Sequence, residues 1–367
     1  MKVLITGADG FIGKNLQSEL CSRGMEELLL CNHNTTEAEI EKFTAQCTSI
    51  VHLAGVNRPK EEREFWEGNA ETTRRLIDYL KKNNNIPHII FASSAQAELD
   101  NPYGKSKLEA ERILKQYSHD TGGRVTIYRF PNVFGKWCRP DYNSVVATFC
   151  YNIAREKEIC IHNADAVIQL VYIDDVINAI IRSLETSSEN LYPVLQPIYE
   201  VRVGELAKML YYFKKQNESL QIPDIGDELT KKMYSTFLSY MKEDSLKAPL
   251  SMHADTRGSF TEFIHTESIG QISINIAKPG IVKGNHWHNT KVEKFLVVKG
   301  KALIKMRNKM TGVITEHTVS GRLLEVLYIP PGYVHNIVNI GEDDLITVIW
   351  ANENFDKERP DTYYEEV

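Results

Sequence analysis

The stretch that decides the fold of the first half of the chain is Lys2–Gly13, KVLITGADGFIG. Its apolar run ends at the first of several glycines spaced G-x-x-G-x-x-G. This order predicts a buried strand, a tight turn and the start of a helix. Glycines in such a turn let backbone N–H groups approach a pyrophosphate at the helix N-terminus. We therefore predict a dinucleotide-binding turn formed by Gly7, Gly10, Phe11, Ile12 and Gly13.

Similar apolar runs recur after this stretch and are separated by segments with helical spacing of apolar residues, such as WEGNAETTRRLIDYLKKN. Uninterrupted apolar strands that alternate with helices are typical of a parallel sheet covered on both faces. We predict an α/β domain of the Rossmann type over residues 1–245. Its strands are expected at KVLITG, ELLLCN, SIVHLAG, HIIFASS and RVTIYRF.

The pattern changes after Pro249, where short strand-like segments are separated by Gly, Pro, Asn and Asp. Such punctuation is typical of an all-β sandwich or barrel. The boundary is expected between Tyr240 and Ser251, so that residues 246–367 form a second, all-β domain. Its strands are expected at GQISINIAK, KFLVVKGKALIKM, VITEHTVS, LLEVLYIP, VHNIVNIG and DLITVIWAN.

Composition excludes several classes of protein. Lys and Arg number 43 against 49 Asp and Glu, a net charge of −6, which argues against a nucleic-acid coat or a polybasic membrane clamp. No apolar run approaches the roughly 18 residues that a membrane-spanning helix needs. The six cysteines contain no CxxC pair. We therefore expect a cytoplasmic protein with reduced, mostly buried thiols, and neither nucleic acid nor a membrane as partner.

Tyr103 and Lys107 are four residues apart in a predicted helix, so their side chains share one face. A nearby ammonium lowers the pKa of a phenol, and such a phenol can give a proton to a carbonyl oxygen as hydride reaches the carbon. Ser93 and Ser94 lie at the end of the preceding strand, where a serine can hold the same oxygen. The sequence thus predicts a ketone reductase with Tyr103, Lys107 and one of these two serines as catalytic residues.

The second predicted strand ends Cys31-Asn32-His33-Asn34, without a carboxylate. An acidic residue at that position normally binds the ribose 2′-OH of NAD. Since nothing here repels a 2′-phosphate, we expect NADP(H) as cofactor.

The second domain carries histidines and a glutamate at metal-ligand spacing. His286 and His288 alternate on a predicted strand, Glu293 follows on the next one, and His335 comes from a distant strand. Three imidazoles and one carboxylate suit Zn²⁺, Fe²⁺, Mn²⁺ or Ni²⁺, and no cysteine lies beyond residue 160. We predict a divalent metal site at these four residues.

Four segments of the first domain, GADGFIGKN, VHLAGVNRP, FASSAQA and NPYGKSKLE, resemble the extended short-chain dehydrogenase/reductase family of nucleotide-sugar enzymes. The resemblance covers roughly residues 1–240. It implies that Tyr103 is the proton donor, that Lys107 lowers its pKa and contacts the nicotinamide ribose, and that Ser94 binds the substrate oxygen. RFPNVFG, which contains Asn132, resembles the segment that faces nicotinamide and substrate, so Asn132 is a candidate substrate contact.

The second domain resembles the cupins, which implies a jelly-roll barrel and a metal site. DTRGSFTE and KGNH further resemble the cupin 3,5-epimerases of 6-deoxy-4-keto nucleotide sugars. That resemblance makes Lys283 and Arg257 candidate substrate contacts, with Lys283 on the diphosphate. In that group a histidine at the position of His286 acts as the base. Because His286 is read here as a metal ligand, the base stays open among Tyr333, His317 and Lys291.

The fusion of both parts resembles the bifunctional enzymes of bacterial capsule and O-antigen precursor synthesis, in the pathway to UDP-N-acetyl-L-fucosamine. The resemblance implies that the cupin domain epimerises C3 of UDP-2-acetamido-2,6-dideoxy-L-arabino-4-hexulose. The reductase domain would then reduce C4 with NADPH to UDP-N-acetyl-6-deoxy-L-talosamine. Zinc and a homodimer are also implied.

Three alternatives remain from the residues. One is a single-activity NAD(P)-dependent nucleotide-sugar epimerase or dehydratase, with the cupin as a structural dimerisation domain. Another is a cofactor-binding sensor without turnover, which has no need of Ser94, Tyr103 and Lys107. The third is a purely structural zinc ion, since four protein ligands close a zinc site.

Overall fold

The chain forms two compact units in a computed structural model that describes residues 1–25, 27–186, 190–219, 221–266 and 269–367. Met1–Tyr211 and Glu228–Lys242 make up the first unit, and Tyr212–Asp227 and Glu243–Val367 the second. The expected first domain ran without interruption to residue 245. The structure instead assigns Tyr212–Asp227 to the second unit.

The first unit alternates strands and helices. Its elements are β1 (Val3–Thr6), α1 (Phe11–Ser22), β2 (Leu28–Cys31), α2 (Glu37–Gln46), β3 (Ser49–His52), α3 (Arg63–Phe65), α4 (Thr72–Lys82), β4 (His88–Ser94), α5 (Pro102–Thr121), β5 (Val125–Phe130), β6 (Asn132–Phe134), α6 (Val145–Ile153), β7 (Val167–Tyr172), α7 (Ile173–Glu185), β8 (Tyr199–Arg202), α8 (Val203–Glu218), which crosses into the second unit, and α9 (Glu228–Leu238). A π-helical turn, Trp66–Glu71, joins α3 to α4, and a 3₁₀ turn, Ala95–Glu98, follows β4.

The main sheet of the first unit has the order β2-β1-β3-β4-β5, with parallel neighbours throughout. This confirms the Rossmann-like parallel sheet. Alternate residues of β1 belong to different hydrophobic clusters: Val3 and Ile5 to one, Leu4 to the other. Both faces of the sheet are therefore covered, as the continuous apolar runs predict. The carboxyl ends of β1 and β4 lie at one edge, which brings the glycine turn and Ser94 to the same side of the sheet.

The second unit consists mainly of β-strands. They are β9 (Gln221–Ile222), β10 (Met252–Asp255), β11 (Gly258–Thr266), β12 (Gln271–Ala277), β13 (Val282–Trp287), β14 (Glu293–Lys299), β15 (Lys301–Asn308), β16 (Ile314–Ser320), β17 (Val326–Ile329), β18 (Tyr333–Asn339), β19 (Leu345–Ala351) and β20 (Tyr363–Tyr364), with a 3₁₀ turn at Glu243–Leu246.

These strands form two sheets. One has the order β10-β11-β12-β19-β14-β17, with β9 beside β11, and the other has the order β16-β15-β18-β13-β20. Residues of β12 alternate between buried and half-buried, and the core cluster draws on strands of both sheets, including Phe295 of β14 and Ile304 of β15. The β-rich character of this unit is as predicted. The hairpin of β10 and β11 was not among the predicted strands.

The thiols correct one expectation. All six cysteines are free, but only Cys47 and Cys150 are buried, whereas Cys21 and Cys160 are exposed. Within the described part of the chain, no helix is long and apolar enough to cross a bilayer.

Candidate functional site

The glycine turn after β1 has no room for side chains at two positions. A Cβ on Gly7, whose φ is +68°, would lie 2.8 Å from the backbone nitrogen of Ala54. A Cβ on Gly13 would lie 2.5 Å from the carbonyl oxygen of Gly7. Contacts this short exclude any larger residue, so this turn packs against the strand ends only with glycine.

Helix α1 begins at Phe11 directly after Gly10, and no side chain caps it. Its first backbone N–H groups thus have no side-chain acceptor and suit an anionic ligand. The side chains of Phe11 and Ile12 pack against the hydrophobic core. A cofactor bound here would therefore contact the backbone N–H groups of these two residues and not their side chains.

The end of β2 is held by backbone and amide contacts. The carbonyl of Cys31 accepts a hydrogen bond from the Ala8 N–H at 3.1 Å, and Asn32 Oδ1 accepts one from the Asn34 N–H at 2.9 Å. As the sequence requires, no carboxylate stands at this position.

The two serines at the end of β4 have different partners. Ser93 donates to the buried carboxylate of Glu111 at 2.5 Å. Ser94 accepts from the Gln96 N–H at 3.1 Å and is hydrogen-bonded to the side chain of Tyr103. The structure thus brings Ser94, and not Ser93, to the tyrosine.

Tyr103 is held in the first turn of α5. Asn101 caps this helix by accepting from the Gly104 N–H at 2.8 Å, and Pro102 follows at the first helical position. Burial raises the pKa of the Tyr103 phenol, and the hydrogen bond with Ser94 opposes that shift.

Lys107 lies one turn later in α5 and is only 5% exposed. Its Nζ donates to the carbonyl of Ala92 at 2.6 Å and stands 4.4 Å from the centre of the Phe91 ring. Burial lowers the pKa of this amine to about 7. The sequence predicts that Lys107 lowers the pKa of Tyr103, but in the structure burial of the phenol raises that pKa.

A buried ion pair behind these residues was missed by the sequence reasoning. The carboxylate of Glu111 accepts from Arg129 Nε at 2.9 Å and Nη2 at 2.7 Å. Arg129 opens the segment RFPNVFG, but its guanidinium is committed to Glu111 and to Glu98. Asn132, in β6 of the same segment, is exposed and donates to the carbonyl of Gln169 at 3.1 Å.

The predicted metal ligands come together in the second unit. One donor atom from each of His286, His288, Glu293 and His335 lies within 4.8 Å of all the others. Glu293 Oε2 is 3.3 Å from His288 Nε2 and 3.2 Å from His335 Nε2. The structure therefore brings together the four side chains that the sequence spacing singled out.

The hydrogen bonds of the histidines determine which nitrogens face the centre of this cluster. His288 Nδ1 is 2.6 Å from the carbonyl oxygen of Asp361, and His335 Nδ1 is 3.2 Å from that of Tyr333. Since a carbonyl can only accept, each Nδ1 carries the proton and each Nε2 presents a lone pair. The buried Nε2 of His335 has no hydrogen-bond partner among the described residues.

This arrangement fits a divalent cation. The Nε2 lone pairs of His288 and His335 face the Oε2 atom of Glu293. A cation bound between these three atoms relieves the repulsion between the lone pairs and the carboxylate. Burial lowers the pKa of His286 to about 4, with the neighbouring His335 acting in the same direction, so this imidazole is neutral at pH 7 and able to ligate. Three nitrogens and one oxygen suit Zn²⁺ and similar first-row metals.

The two candidate substrate contacts of this unit already have protein partners. Lys283 Nζ donates to Asn275 Oδ1 at 2.9 Å and to the carbonyls of Ile276 at 2.8 Å and Ser259 at 3.2 Å, which uses every hydrogen of its ammonium. Arg257 is exposed and pairs with Asp255 at 2.6 Å. The sequence could not reveal these acceptors.

The candidate bases differ in their surroundings. Lys291 Nζ donates to the Pro360 carbonyl at 2.8 Å. His317 is exposed on β16. Tyr333 is half-buried, and it lies two residues before His335 on β18, so both side chains share one face of that strand.

Comparison with known proteins also divides the chain into an amino-terminal and a carboxyl-terminal part. The model of the "NAD dependent epimerase/dehydratase family" matches residues 3–194, and that of the "Polysaccharide biosynthesis C-terminal domain" matches residues 253–363. A Pseudomonas aeruginosa protein named UDP-2-acetamido-2,6-beta-L-arabino-hexul-4-ose reductase is 44% identical, over 99% of this chain and 98% of its own.

More distant and structural relatives extend the comparison. UDP-glucuronate 4-epimerase 1 of Arabidopsis thaliana is 27% identical over 52% of this chain and 56% of its own. The crystal structure of the capsular polysaccharide assembling protein CapF from Staphylococcus aureus superposes with a TM-score of 0.93, at 46% identity and with all of both chains covered. With the match to more than half of its length and a relative that spans almost all of it, the chain belongs to the NAD dependent epimerase/dehydratase family of enzymes.

Proposed function

We propose that the first unit is an NADPH-dependent reductase of a UDP-linked 4-keto sugar. The observation that carries this proposal is the placement of Tyr103 and Lys107 one helical turn apart on α5, with the Ser94 side chain acting on the Tyr103 phenol, at the sheet edge where the glycine turn lies. The name of the Pseudomonas relative supports the substrate, UDP-2-acetamido-2,6-dideoxy-L-arabino-4-hexulose. With C3 inverted before the reduction of C4, the product would be UDP-N-acetyl-6-deoxy-L-talosamine.

In this proposal each residue has a separate task. NADPH supplies the hydride to C4. The Ser94 hydroxyl donates a hydrogen bond to the keto oxygen, and the Tyr103 phenol transfers its proton to that oxygen as negative charge develops there. Lys107, positioned one turn behind the phenol, contacts the nicotinamide ribose. Gly7, Gly10, Phe11, Ile12 and Gly13 form the turn that receives the cofactor's pyrophosphate.

The preference for NADPH over NADH rests on the end of β2. Asn32 and its neighbours offer amides and no carboxylate, so a 2′-phosphate meets no repulsion there.

We further propose that the second unit is a cupin whose site holds a divalent metal, zinc in the first instance, and epimerises C3 of the same sugar before reduction. A divalent ion supplies a Lewis acid when bound. The ligands would be His286, His288, Glu293 and His335. Tyr333 is the proposed proton-transferring residue, because it shares a strand face with His335 and its rivals Lys291 and His317 are hydrogen-bonded elsewhere or exposed.

A homodimer acting in the cytoplasm completes the proposal, on the strength of the resemblance to capsule-precursor enzymes. Sedimentation equilibrium of the full chain tests the dimer. A measured mass of 41.9 kDa, that of a single chain, would contradict it.

The deciding experiment is NMR of the UDP-4-keto-6-deoxy-N-acetylhexosamine in D₂O, with enzyme and Zn²⁺ but no NADPH. Deuterium at C3 is expected with the wild-type chain and with Tyr103→Phe, and is lost in His286→Ala. Adding NADPH then yields the reduced sugar with the wild-type chain only.

Lack of exchange at C3 would overturn the epimerase proposal. The second unit would then be a structural or dimerisation domain around a closed metal site, and the chain would have a single NAD(P)-dependent activity. Exchange without reduction would instead refute the reductase proposal.

A further inference from the structure

The carboxyl-terminal segment Pro360–Glu365 lies along β13, the strand that carries His286, one of the proposed metal ligands. Its strand β20 pairs with β13, with Tyr364 opposite His286 and Tyr363 opposite Trp287. The Tyr363 and Trp287 rings stack with their centres 4.9 Å apart. The segment is therefore a part of this sheet.

Asp361, within this segment, binds the turn between two of the proposed ligands. Its Oδ1 accepts from the Asn289 N–H at 2.9 Å, and its Oδ2 accepts from the N–H groups of Thr290 and Lys291, each at 2.9 Å. The Thr290 hydroxyl adds a bond to Oδ2 at 3.0 Å. One carboxylate thus holds every backbone donor of residues 289–291, which connect His288 to the strand of Glu293.

The backbone of Asp361 reaches the ligand itself. Its carbonyl oxygen is 2.6 Å from His288 Nδ1. The φ of Asp361 is +39°, in the left-handed region that aspartate and asparagine tolerate better than most residues. This conformation lets the carbonyl reach His288 while the side chain holds the turn that follows it.

We propose that Asp361 is a positioning residue for the metal site: it keeps the proton of His288 on Nδ1 and fixes the turn that sets His288 against Glu293. The inference rests on the proposed metal site. Nothing in the role assigned to Asp361 requires contact with the metal or the substrate.

Asparagine at this position separates the role of the carboxylate from that of the backbone. Asp361→Asn keeps the size, the tolerance of positive φ and one acceptor oxygen. Its amide NH₂, however, faces backbone N–H donors that then lose their acceptor. Loss of an outer hydrogen-bond partner typically weakens metal binding about 10- to 100-fold, and we expect a loss of at least about tenfold here.

The test titrates the full-length, metal-free chain with Zn²⁺ in competition with a chromophoric chelator, and with Co²⁺ followed by its visible absorption. The matched control is Asp356→Asn. Asp356 is in the same carboxyl-terminal region, but among the described residues its side chain accepts a hydrogen bond from the Glu358 N–H alone, at 2.9 Å. We expect Asp361→Asn to weaken Zn²⁺ binding and to alter the Co²⁺ spectrum, and Asp356→Asn to leave both as in the wild-type chain.

Equal Zn²⁺ affinity and an unchanged Co²⁺ spectrum in Asp361→Asn would overturn the inference while leaving the metal site intact. A wild-type chain that binds neither ion would instead overturn the proposed site itself. If Asp361→Asn fails to fold, Thr290→Val decides: it removes only the hydroxyl contact to Asp361, and it should weaken Zn²⁺ binding measurably but less. Wild-type affinity in Thr290→Val would then count against the inference.

Discussion

Replacing Glu111 by glutamine measures what the buried ion pair behind Ser94 and Tyr103 contributes to the stability of the first unit. The Glu111 side chain is 0% exposed. It accepts from Ser93, from two nitrogens of Arg129 and, at 2.8 Å, from the Tyr192 hydroxyl. Glutamine replaces one acceptor oxygen by an NH₂ group, whose hydrogens would then face other donors.

The expected cost follows from this geometry. Each carboxylate oxygen accepts two of the four hydrogen bonds, so the amide loses two of them and the Arg129 guanidinium loses its buried counter-charge. Breaking a buried pair costs about 3–5 kcal/mol. Arg129 keeps its pair with Glu98 at 2.6 Å and is 26% exposed, so we expect the lower end, about 3 kcal/mol.

Native-state hydrogen exchange on peptides from β4 and β5 is the appropriate assay, since it reports the first unit separately from the second. Glu109→Gln on the same helix is the control. Glu109 is 30% exposed and 3.4 Å from Arg112, so its loss should change the free energy of unfolding by less than about 0.5 kcal/mol. A loss below about 1 kcal/mol for Glu111→Gln would refute the reasoning.

The pH dependence gives a second check. Burial alone would raise the pKa of Glu111, but the hydrogen bonds from Arg129, Ser93 and Tyr192 outweigh it, and the pKa lies below the ordinary 4.5. The stabilisation is therefore fully present above that value and is lost as the pH falls through the pKa of the folded state. The difference between the wild-type chain and Glu111→Gln should shrink in acid. A constant difference would contradict an ionised carboxylate.

Three further predictions concern Lys107, Gly13 and Lys283. Between about pH 7 and pH 9.5, the amine of Lys107 is neutral when folded and charged when unfolded. In urea denaturation of the unliganded chain, the free energy of unfolding should therefore increase with pH more steeply than in Lys107→Met, by about 1.4 kcal/mol per pH unit. Equal pH dependence in the two proteins would contradict this prediction. Gly13→Ala should abolish NADPH binding in a fluorescence titration, because its Cβ meets a carbonyl oxygen at 2.5 Å, whereas Gly341→Ala, with nothing nearer than 3.4 Å, should bind normally. Lys283→Met should destabilise the second unit by about 1–3 kcal/mol in hydrogen exchange, and unchanged stability with a raised KM would instead favour the diphosphate role.

Local sequence patterns predicted the parallel sheet and most of the His/Glu cluster. The glycine turn directly follows β1, and His286, His288 and Glu293 lie on β13, β14 and the turn between them. His335, on the distant strand β18, is the exception. Strand periodicity and turn chemistry depend on neighbouring residues, so they can be read without knowing the rest of the fold.

What the sequence did not reveal depends on distant partners. Asp361 lies 73 residues from His288, and nothing in its local sequence indicates that its carbonyl reaches an imidazole. Lys283 was assigned to a substrate by resemblance to the cupin 3,5-epimerases, and the sequence does not show that its ammonium is hydrogen-bonded to Asn275, Ile276 and Ser259. The choice of Ser94 came from alignment with a family motif, whereas the partner of Ser93 became visible only when α5 was packed on the sheet.

The assignment of Tyr212–Asp227 to the second unit bears on how such a gene can be divided or recombined. Its strand β9 pairs with β11 through Gln221 and His265. An exchange of coding sequence at residue 245 would deliver this strand with the first unit and separate it from its partner. A recombinant that inherits the two halves from different parents must therefore match β9 to a foreign β11. A junction upstream of residue 212 would in turn separate Glu228–Lys242 from the first unit, to which that segment belongs. Successful natural exchanges in this lineage should accordingly replace the whole gene.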